Sequence, residues 1–269
     1  MYTYGLCTIS PFSSHYTLQL QYWCVQNIFS ILPISSYAYA YIRGKSIKQH
    51  AAVHVKSRFI LHLDITNFFE SITNRHISDV IMRNKDLYKN INIEALIDDI
   101  CKISLRNDKL CIGSVCSPVI SNVIMNNFDI EVSKYCESKR LKYTRYADDI
   151  YISSLTFIDT DILEYIKVHL EKMGFSINMK KTRFMSSKNR KTVTGITITH
   201  DKQISVGTDM HNKIKSMVYN KIVKGVGNTE KIMGYLSYIK DIEPLFYNKI
   251  ITKYSKYGNV IDEINKPEK

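Results

Sequence analysis

The sequence has no apolar run that approaches the ~20 residues of a membrane-spanning helix, and its first residues lack the basic and then apolar pattern of a secretory signal. Its six cysteines form no CxxC pair and have no histidine at zinc-ligand spacing, so neither a zinc site nor a disulfide framework is indicated. Repeats, low-complexity tracts and obvious linkers are also missing. We therefore expect one or two compact domains with reduced, mostly buried cysteines.

The charge of the chain is strongly basic. Lys and Arg number 37 against 25 Asp and Glu, which gives a formal net charge of +12. Such a balance favours a polyanionic partner, either nucleic acid or an anionic membrane surface. Because no spanning run or signal pattern is found, cytosolic nucleic-acid binding is the better interpretation.

Two adjacent acids, Asp148 and Asp149, stand inside the segment Tyr143-Thr-Arg-Tyr-Ala-Asp-Asp-Ile-Tyr-Ile-Ser153. Its β-branched and aromatic residues predict two short strands that meet at these acids. Taken alone, the pair is a polar turn, since Asp is common in turns. However, Asp64 also interrupts an apolar, strand-like run, and an unpaired carboxylate there is costly. A cation shared by the three carboxylates explains both features, and this donor set suits two-metal phosphoryl transfer.

The Tyr146-Ala-Asp-Asp149 box, preceded by Tyr143-Thr-Arg145, resembles the catalytic box of reverse transcriptases, and in particular of the retron group. The resemblance runs from about Ile9 to about Tyr254, with the motifs in the family's order. It implies an α+β right-hand polymerase, in which an antiparallel sheet backed by helices forms fingers and palm over residues 1–204 and a small helical thumb follows over 205–269. Asp64 and Asp148 are then expected to bind two Mg²⁺ ions, and Asp149 completes the acidic cluster.

The same resemblance implies a function. The chain is expected to be an RNA-directed DNA polymerase that copies a structured noncoding RNA, primed from a 2′-hydroxyl, into RNA-linked single-stranded DNA (msDNA). Its partners are then this RNA and its DNA product, deoxynucleoside triphosphates, and an effector protein of the same operon in bacterial, cytoplasmic antiphage defence. Alternatives are a group II intron-like or diversity-generating enzyme, or a scaffold that holds RNA and DNA for a toxin-like effector. The intact acids argue against a scaffold.

Three residues are expected near the incoming nucleotide. Phe69, five residues after Asp64, corresponds to the family's sugar-selecting aromatic, although an ordinary core position is the plain alternative and is expected for Phe68. Gly113 allows close backbone approach before a helix that starts at Ser117-Pro118. Lys181, with Asn178, belongs to the family's Asn-x-x-Lys-Thr element. This chain departs from the family at Ile112, where a Gln is usual, and at Val115, where a Pro is usual.

Basic residues concentrate in two stretches, 40–60 and 180–191, neither of which contains an acid. Their composition favours phosphate contact, and solvated loops are the alternative. The residues predicted to bind nucleic acid are Arg43, Lys45, His54, Asn178, Arg190 and Lys191. Retrons carry Asn-Ala-x-x-His near the first stretch; here His50 replaces the Asn, and His54 can also be a buried histidine. Val193-Thr-Gly195 resembles the retron Val-Thr-Gly signature.

Helical spacing predicts the remaining elements. Leu18, Tyr22, Val25, Phe29 and Leu32 predict a helix that ends at Pro33 and packs into the core. A second acidic pair, Asp98-Asp99, is expected on a helix surface without chemistry. Thr8-Ile-Ser-Pro11 follows almost directly on the start, so we expect either trimmed fingers or an internally placed start codon.

Overall fold

The computed structural model describes residues 15–89, 91–186 and 188–266. Cys7 and residues 8–11, on which the resemblance begins, lie outside the described residues. The chain divides into two compact units: the first comprises the described residues up to Ser46 together with Ser57–Met185, and the second comprises Ile47–Lys56 together with the residues from Ser186 onward. The division into fingers and palm over 1–204 and thumb over 205–269 stays a prediction.

The helices and strands follow one another in mixed order. The helices are His15–Asn27 (α1), Ile47–His54 (α2), Phe68–Ser71 (α3), Asn74–Arg83 (α4), Ile93–Ser104 (α5), Ser117–Ile124 (α6), Asn126–Ser138 (α7), Asp161–Lys172 (α8), Thr208–Lys224 (α9), Thr229–Ile242 (α10), Pro244–Tyr254 (α11) and Val260–Asn265 (α12). The strands are Phe59–Asp64 (β1), Leu105–Arg106 (β2), Lys109–Leu110 (β3), Lys142–Tyr146 (β4), Asp149–Ser154 (β5), Arg183–Met185 (β6), Lys191–Val193 (β7), Ile196–Ile198 (β8) and Ile204–Ser205 (β9).

The first unit is built on a four-stranded antiparallel sheet with the order β4-β5-β1-β6. β4 and β5 form the predicted hairpin, with Ala147 and Asp148 as its loop. Because side chains alternate along a strand, Leu61 and Leu63 of β1 point to one face, where they join a buried core with α4 to α8. His62 and Asp64 occupy the alternate positions of β1, so their side chains point to the other face of the sheet.

The predicted apolar stripe of α1 is wrong for its first half. Leu18 and Tyr22 are 42% and 50% exposed, whereas Cys24 and Ile28 are fully buried. In this orientation the side-chain amide of Gln21 donates to the carbonyl of Ile103 (3.1 Å). Apolar residues lie all around α1, so spacing alone did not define the buried face. Phe29 and Leu32 are buried as expected, beyond the end of the helix.

Other helices agree with the sequence patterns in part. Asp98 and Asp99 are exposed on α5, as expected, and α8 buries Ile162, Ile166 and Leu170. The helix expected to start at Ser117-Pro118 does so as α6, and it is separated from α7 by Met125. The Ser117 hydroxyl donates to the carbonyl of Cys111.

The second unit combines a small antiparallel sheet with helices. α2 packs against the strands β7, β8 and β9, and α9 packs against α10 and α12. The predicted helical pattern after residue 205 is confirmed: Ile214 and Val218 of α9 and Leu236 and Ile239 of α10 are buried.

The cysteines and the possible membrane spans can be compared with the sequence-based expectations over the described residues. Four of their cysteines are buried, and Cys111 is half-buried; none of these five forms a disulfide. No helix within the described ranges combines the length and apolar character that crossing a membrane requires.

Candidate active site

The three candidate catalytic acids meet at one end of the larger sheet. Asp64, the last residue of β1, is the cross-strand partner of Asp149, the first residue of β5. Asp148 lies in the hairpin loop, immediately before Asp149. The carbonyl of Asp148 accepts a hydrogen bond from the amide of Ile65 (3.0 Å). Antiparallel pairing therefore brings acids 84 and 85 residues apart in sequence into one cluster.

The carboxylate of Asp148 experiences a strongly unfavourable field. Burial, followed by the negative charges of Asp149 and Asp64, raises its pKa from the usual 3.8 to about 6. The nearby ammonium of Lys181 and a backbone hydrogen bond offset this only in part. The negative charge of the cluster is thus incompletely compensated by the protein's own groups.

Each of the other two acids is bound by a basic side chain. Lys181 Nζ lies 2.9 Å from Asp64 Oδ2, and this hydrogen bond is the leading cause of the raised pKa of Lys181. His62 Nε2 lies 2.6 Å from Asp149 Oδ1, and its ring stacks on Tyr151 with a centroid distance of 4.6 Å. Sequence reasoning missed His62, although its position two residues before Asp64 on the same strand face would have indicated it.

Carboxylate oxygens are the ligands that divalent metal ions such as Mg²⁺ prefer, but the three acids are not arranged around a common point. Among the residues that the structure describes, no three His, Cys, Asp or Glu side chains are arranged so that they could hold a metal ion. Yet Asp64 already binds a cation, the Lys181 ammonium, and the raised pKa of Asp148 is the kind of strain that a hard divalent cation relieves. The carboxylates therefore fit Mg²⁺ by charge and ligand type.

A tight loop brings Lys181 to this position. The amide of Asn178 donates to the carbonyl of Asp64 (2.8 Å), and the carbonyl of Asn178 accepts from the amides of Lys181 (3.0 Å) and Thr182 (3.1 Å). Asn178 thereby contributes through its backbone to placing Lys181 beside Asp64.

The predicted nucleotide-side residues lie in the same unit. Phe68 is buried at 3% exposure, as expected for a core residue, while Phe69 is half-buried at the edge of the core. Gly113 has φ +90°, and a Cβ there would meet no atom within 4 Å. The left-handed backbone, rather than a lack of space, therefore favours glycine at this position.

The predicted nucleic-acid contacts differ in exposure. Arg43 and Arg190 are exposed, and Arg190 lies 3.4 Å from Asp209. Lys45 instead donates to the carbonyls of Ser36 and Ala38. His54 is fully buried, and burial lowers the pKa of Lys191, which is 7% exposed. A phosphate contact requires an accessible side chain, so burial argues against a direct contact by His54 or Lys191, and the predicted nucleic-acid contacts stay predictions.

Sequence reasoning also missed a buried ion pair behind the acidic hairpin. Arg145 and Asp129 are both fully buried, and Nη2 of Arg145 lies 2.8 Å from Oδ2 of Asp129. Burial opposes the charged form of Arg145, but the Asp129 carboxylate more than compensates, so the pKa of Arg145 is raised. Strand alternation gave a signal: Arg145 shares its face with Tyr143, and a buried arginine requires an acid.

Comparisons with known proteins agree with this architecture. A family model described as reverse transcriptase (RNA-dependent DNA polymerase) matches residues 19–198. The chain is 33% identical to the retron Ec73 reverse transcriptase of Escherichia coli, over 93% of this chain and 83% of the relative. It is 30% identical to the retron Ec83 enzyme over 81% and 73% of the two chains, and 27% identical to the retron Ec86 enzyme over 88% and 72%, both also from Escherichia coli.

One solved structure shows a similar fold at low sequence identity. Apo telomerase from Candida tropicalis superposes with a TM-score of 0.52 at 11% identity, over 93% of this chain and 52% of that chain. This likeness to the polymerase fold, together with the family match over most of the sequence, identifies the chain as an RNA-directed DNA polymerase that belongs to the retron reverse transcriptases.

Proposed function

We propose that this polymerase copies a structured noncoding RNA into single-stranded DNA that stays linked to RNA, in the cytoplasm of a bacterium and as part of antiphage defence. The observation that carries the proposed chemistry is the acidic cluster: Asp64 and Asp149 are cross-strand partners, and Asp148 beside them has a pKa of about 6. Clustered, undercompensated carboxylates next to a polyanionic substrate are costly unless they serve cations.

Asp64 and Asp148 are the proposed holders of two Mg²⁺ ions, with Asp149 completing the negative cluster. When bound, such ions activate the attacking hydroxyl and stabilise the charge of the leaving pyrophosphate. Lys181, 60% exposed in its contact with Asp64, is free to exchange that carboxylate for a triphosphate oxygen. His62 holds Asp149 in place through the 2.6 Å contact.

The remaining proposed roles concern recognition. The ring of Phe69 packs under the sugar and selects deoxynucleotides, and the backbone at Gly113 approaches the nucleotide. Arg43 and Arg190, both exposed, contact phosphates of the RNA or the product. The partners are the template RNA, deoxynucleoside triphosphates and an effector protein of the same operon.

The assignment of the site is tested with Asp148→Asn. This change removes a metal ligand and leaves the basic surfaces intact, so DNA synthesis should be lost while RNA affinity stays nearly normal. Primer extension and RNA binding are measured on the same folded preparation. Near-normal extension by this variant would contradict the assigned site.

The nature of the product requires a separate experiment. Nucleic acid that co-purifies with the protein is sequenced, and its DNA is treated with ribonuclease and with a 2′,5′-debranching enzyme. We expect one RNA joined to one short DNA by a 2′,5′ bond, absent from Asp148→Asn cells. Unlinked or heterogeneous DNA would contradict msDNA synthesis. Phage challenge of cells that carry the complete operon, with and without Asp148→Asn, tests the role in defence.

A further inference from the structure

The guanidinium of Arg145 is fully buried, and each of its three nitrogens donates a hydrogen bond. Its Nε and Nη2 donate to the two carboxylate oxygens of Asp129, each at 2.8 Å, and Nη2 also lies 3.2 Å from Oδ1 of Asn122. Its Nη1 donates to the carbonyl of Ala147 at 3.0 Å. A two-point bond to a carboxylate fixes both the direction and the rotation of a guanidinium. The proposed chemistry does not use this group directly.

The bond to Ala147 reaches the loop that carries Asp148. Ala147 is the first of the two loop residues between β4 and β5, and its φ is +54°. Glycine is favoured in such a position, because a Cβ makes the left-handed conformation unfavourable. A residue with a side chain stays in this conformation only where its surroundings hold it there. The side-chain donor that holds the Ala147 carbonyl is Arg145.

The backbone of Arg145 is itself fixed. Its amide donates to the carbonyl of Tyr37 (2.9 Å), its carbonyl accepts from the amide of Tyr39 (2.8 Å), and it pairs in register with Ile150. Because Asn122 lies in α6 and Asp129 in α7, the side chain is also anchored to two helices. The guanidinium that binds the Ala147 carbonyl is therefore itself held in a fixed position.

From these contacts we infer that Arg145 is a positioning residue for Asp148: anchored by Asp129, it holds the Ala147 carbonyl so that the strained loop presents the Asp148 carboxylate to the metal site. This inference rests on the proposed function, in which Asp148 is a metal ligand. Arg145 touches no substrate and no reacting atom, and it works only through the loop.

The test is Arg145→Lys, which keeps the buried charge near Asp129 but cannot keep both the two-point bond and the bond to Ala147. The Mn²⁺ dissociation constant is measured by electron paramagnetic resonance without nucleotide, and the Mg²⁺ requirement and maximal rate of primer extension are measured alongside. We expect Mn²⁺ affinity to fall about 10-fold or more, as for other outer-shell partners of metal ligands. All assays are run well below the lowest melting temperature.

Tyr143→Phe is the matched control for a merely structural role. It removes the 2.7 Å bond from the Tyr143 hydroxyl to Asp129 but leaves the Arg145 bond to Ala147 in place. We expect it to lower the melting temperature without changing Mn²⁺ affinity. If Arg145→Lys lowers stability but binds Mn²⁺ as tightly as Tyr143→Phe does, the inference is overturned.

Two further variants keep the result decisive. If Arg145→Lys does not fold, Asn122→Ser replaces it, because it loosens the guanidinium without unpairing a charge; weaker Mn²⁺ binding supports the inference and unchanged binding overturns it. Asp148→Asn separates the two proposals. If it still extends primers, the proposed site is wrong and the inference falls with it. If it is inactive while Arg145→Lys binds Mn²⁺ normally, only the inference fails.

Discussion

Lys181 and Asp64 form an ion pair at the centre of the proposed site, with Nζ and Oδ2 separated by 2.9 Å. The aspartate is 8% exposed and the lysine 60%, so the carboxylate is fixed while the ammonium reaches it from solvent. An exposed partner is easily exchanged, since such pairs contribute only about 0.2–1 kcal/mol. The lysine therefore competes with any metal ion for Asp64.

Removing this competitor should separate metal binding from catalysis. We expect Lys181→Ala to bind Mn²⁺ about two- to fivefold more tightly in the absence of nucleotide, because the ion no longer has to displace a pair that contributes about 0.2–1 kcal/mol. Primer extension should nevertheless slow, because the ammonium is no longer available to the triphosphate. The exposed neighbour Lys180 provides the control: Lys180→Ala removes an equal charge without an Asp64 contact. Equal tightening in both variants would mean that only long-range charge matters.

The raised pKa of Asp148 predicts a pH-dependent stability. Between pH ~4 and ~6 the folded chain retains a proton that the unfolded chain releases, so stability falls as the pH rises through this window. Asp148→Asn cannot ionise. In EDTA it should match the parent at pH 4 and be more stable by about 1–3 kcal/mol at pH 7.5. Urea unfolding at both pH values measures this, with Asp98→Asn as an exposed control. If the stability difference between Asp148→Asn and the parent is the same at both pH values, the pKa of Asp148 is not raised.

The same ionisation should control metal binding. Below pH ~6 Asp148 becomes protonated and is lost as a ligand, so the Mg²⁺ concentration for half-maximal extension should rise steeply as the pH falls from 7 to 5. The measurement is extension against Mg²⁺ concentration at several pH values with saturating nucleotide. A flat Mg²⁺ requirement across this range would exclude Asp148 as the titrating ligand.

The elements that the sequence predicted well are those in which local pattern and burial agree. The β4–β5 hairpin combines β-formers with a short polar turn, so it was found from local residues alone. The buried face of α1 was predicted wrongly because hydrophobic residues occur on all sides of this helix. Its orientation is set by tertiary packing, such as the contact of Gln21 with Ile103, 82 positions away.

Asp64 was identifiable because an acid is chemically out of place in an apolar strand, and Asp148 and Asp149 were identifiable because they belong to the box that resembles the reverse transcriptases. Their partners were not. Arg145 and Asp129 are 16 residues apart on a strand and a helix, and His62 meets Asp149 only through strand register. The sequence also did not show that Lys191 is buried, because a run of basic residues does not reveal which of its members is accessible. Pairing and burial are tertiary properties, and local composition does not contain them.

The basic residues that are exposed should determine the salt dependence of RNA binding. If Arg43 and Arg190 each neutralise a phosphate, the slope of log K against log salt should decrease by about 0.7–0.9 for each replacement by alanine. The buried Lys191 is the control: Lys191→Met should change stability and leave the slope unchanged. Filter binding of the template RNA at several salt concentrations measures the slopes. Arginine variants with the parent's slope would mean that their charges only solvate the surface.

We propose that the half-buried ring of Phe69 acts as a steric gate that excludes ribonucleotides. It lies five residues after Asp64, packs partly on the core, and contacts the fully packed ring of Phe68 edge-on with a centroid distance of 5.6 Å. A ring under the sugar clashes with a 2′-hydroxyl. Discrimination of about a hundredfold corresponds to ~2.8 kcal/mol, at 1.4 kcal/mol per tenfold. Phe69→Val should therefore incorporate ribonucleotides far more readily while it retains Mn²⁺ affinity.

Phe68 is the matched control for this prediction, because it is the same residue type at the adjacent position, buried at 3% exposure. Phe68→Val opens a cavity in the core and should cost on the order of 2–3 kcal/mol of stability without changing sugar selection. Primer extension with deoxynucleotides or ribonucleotides on both variants gives the ratio directly, and thermal unfolding gives the stability. If Phe69→Val discriminates as well as the parent, or if Phe68→Val is the variant that relaxes, the gate is not Phe69 and the register counted from Asp64 is wrong.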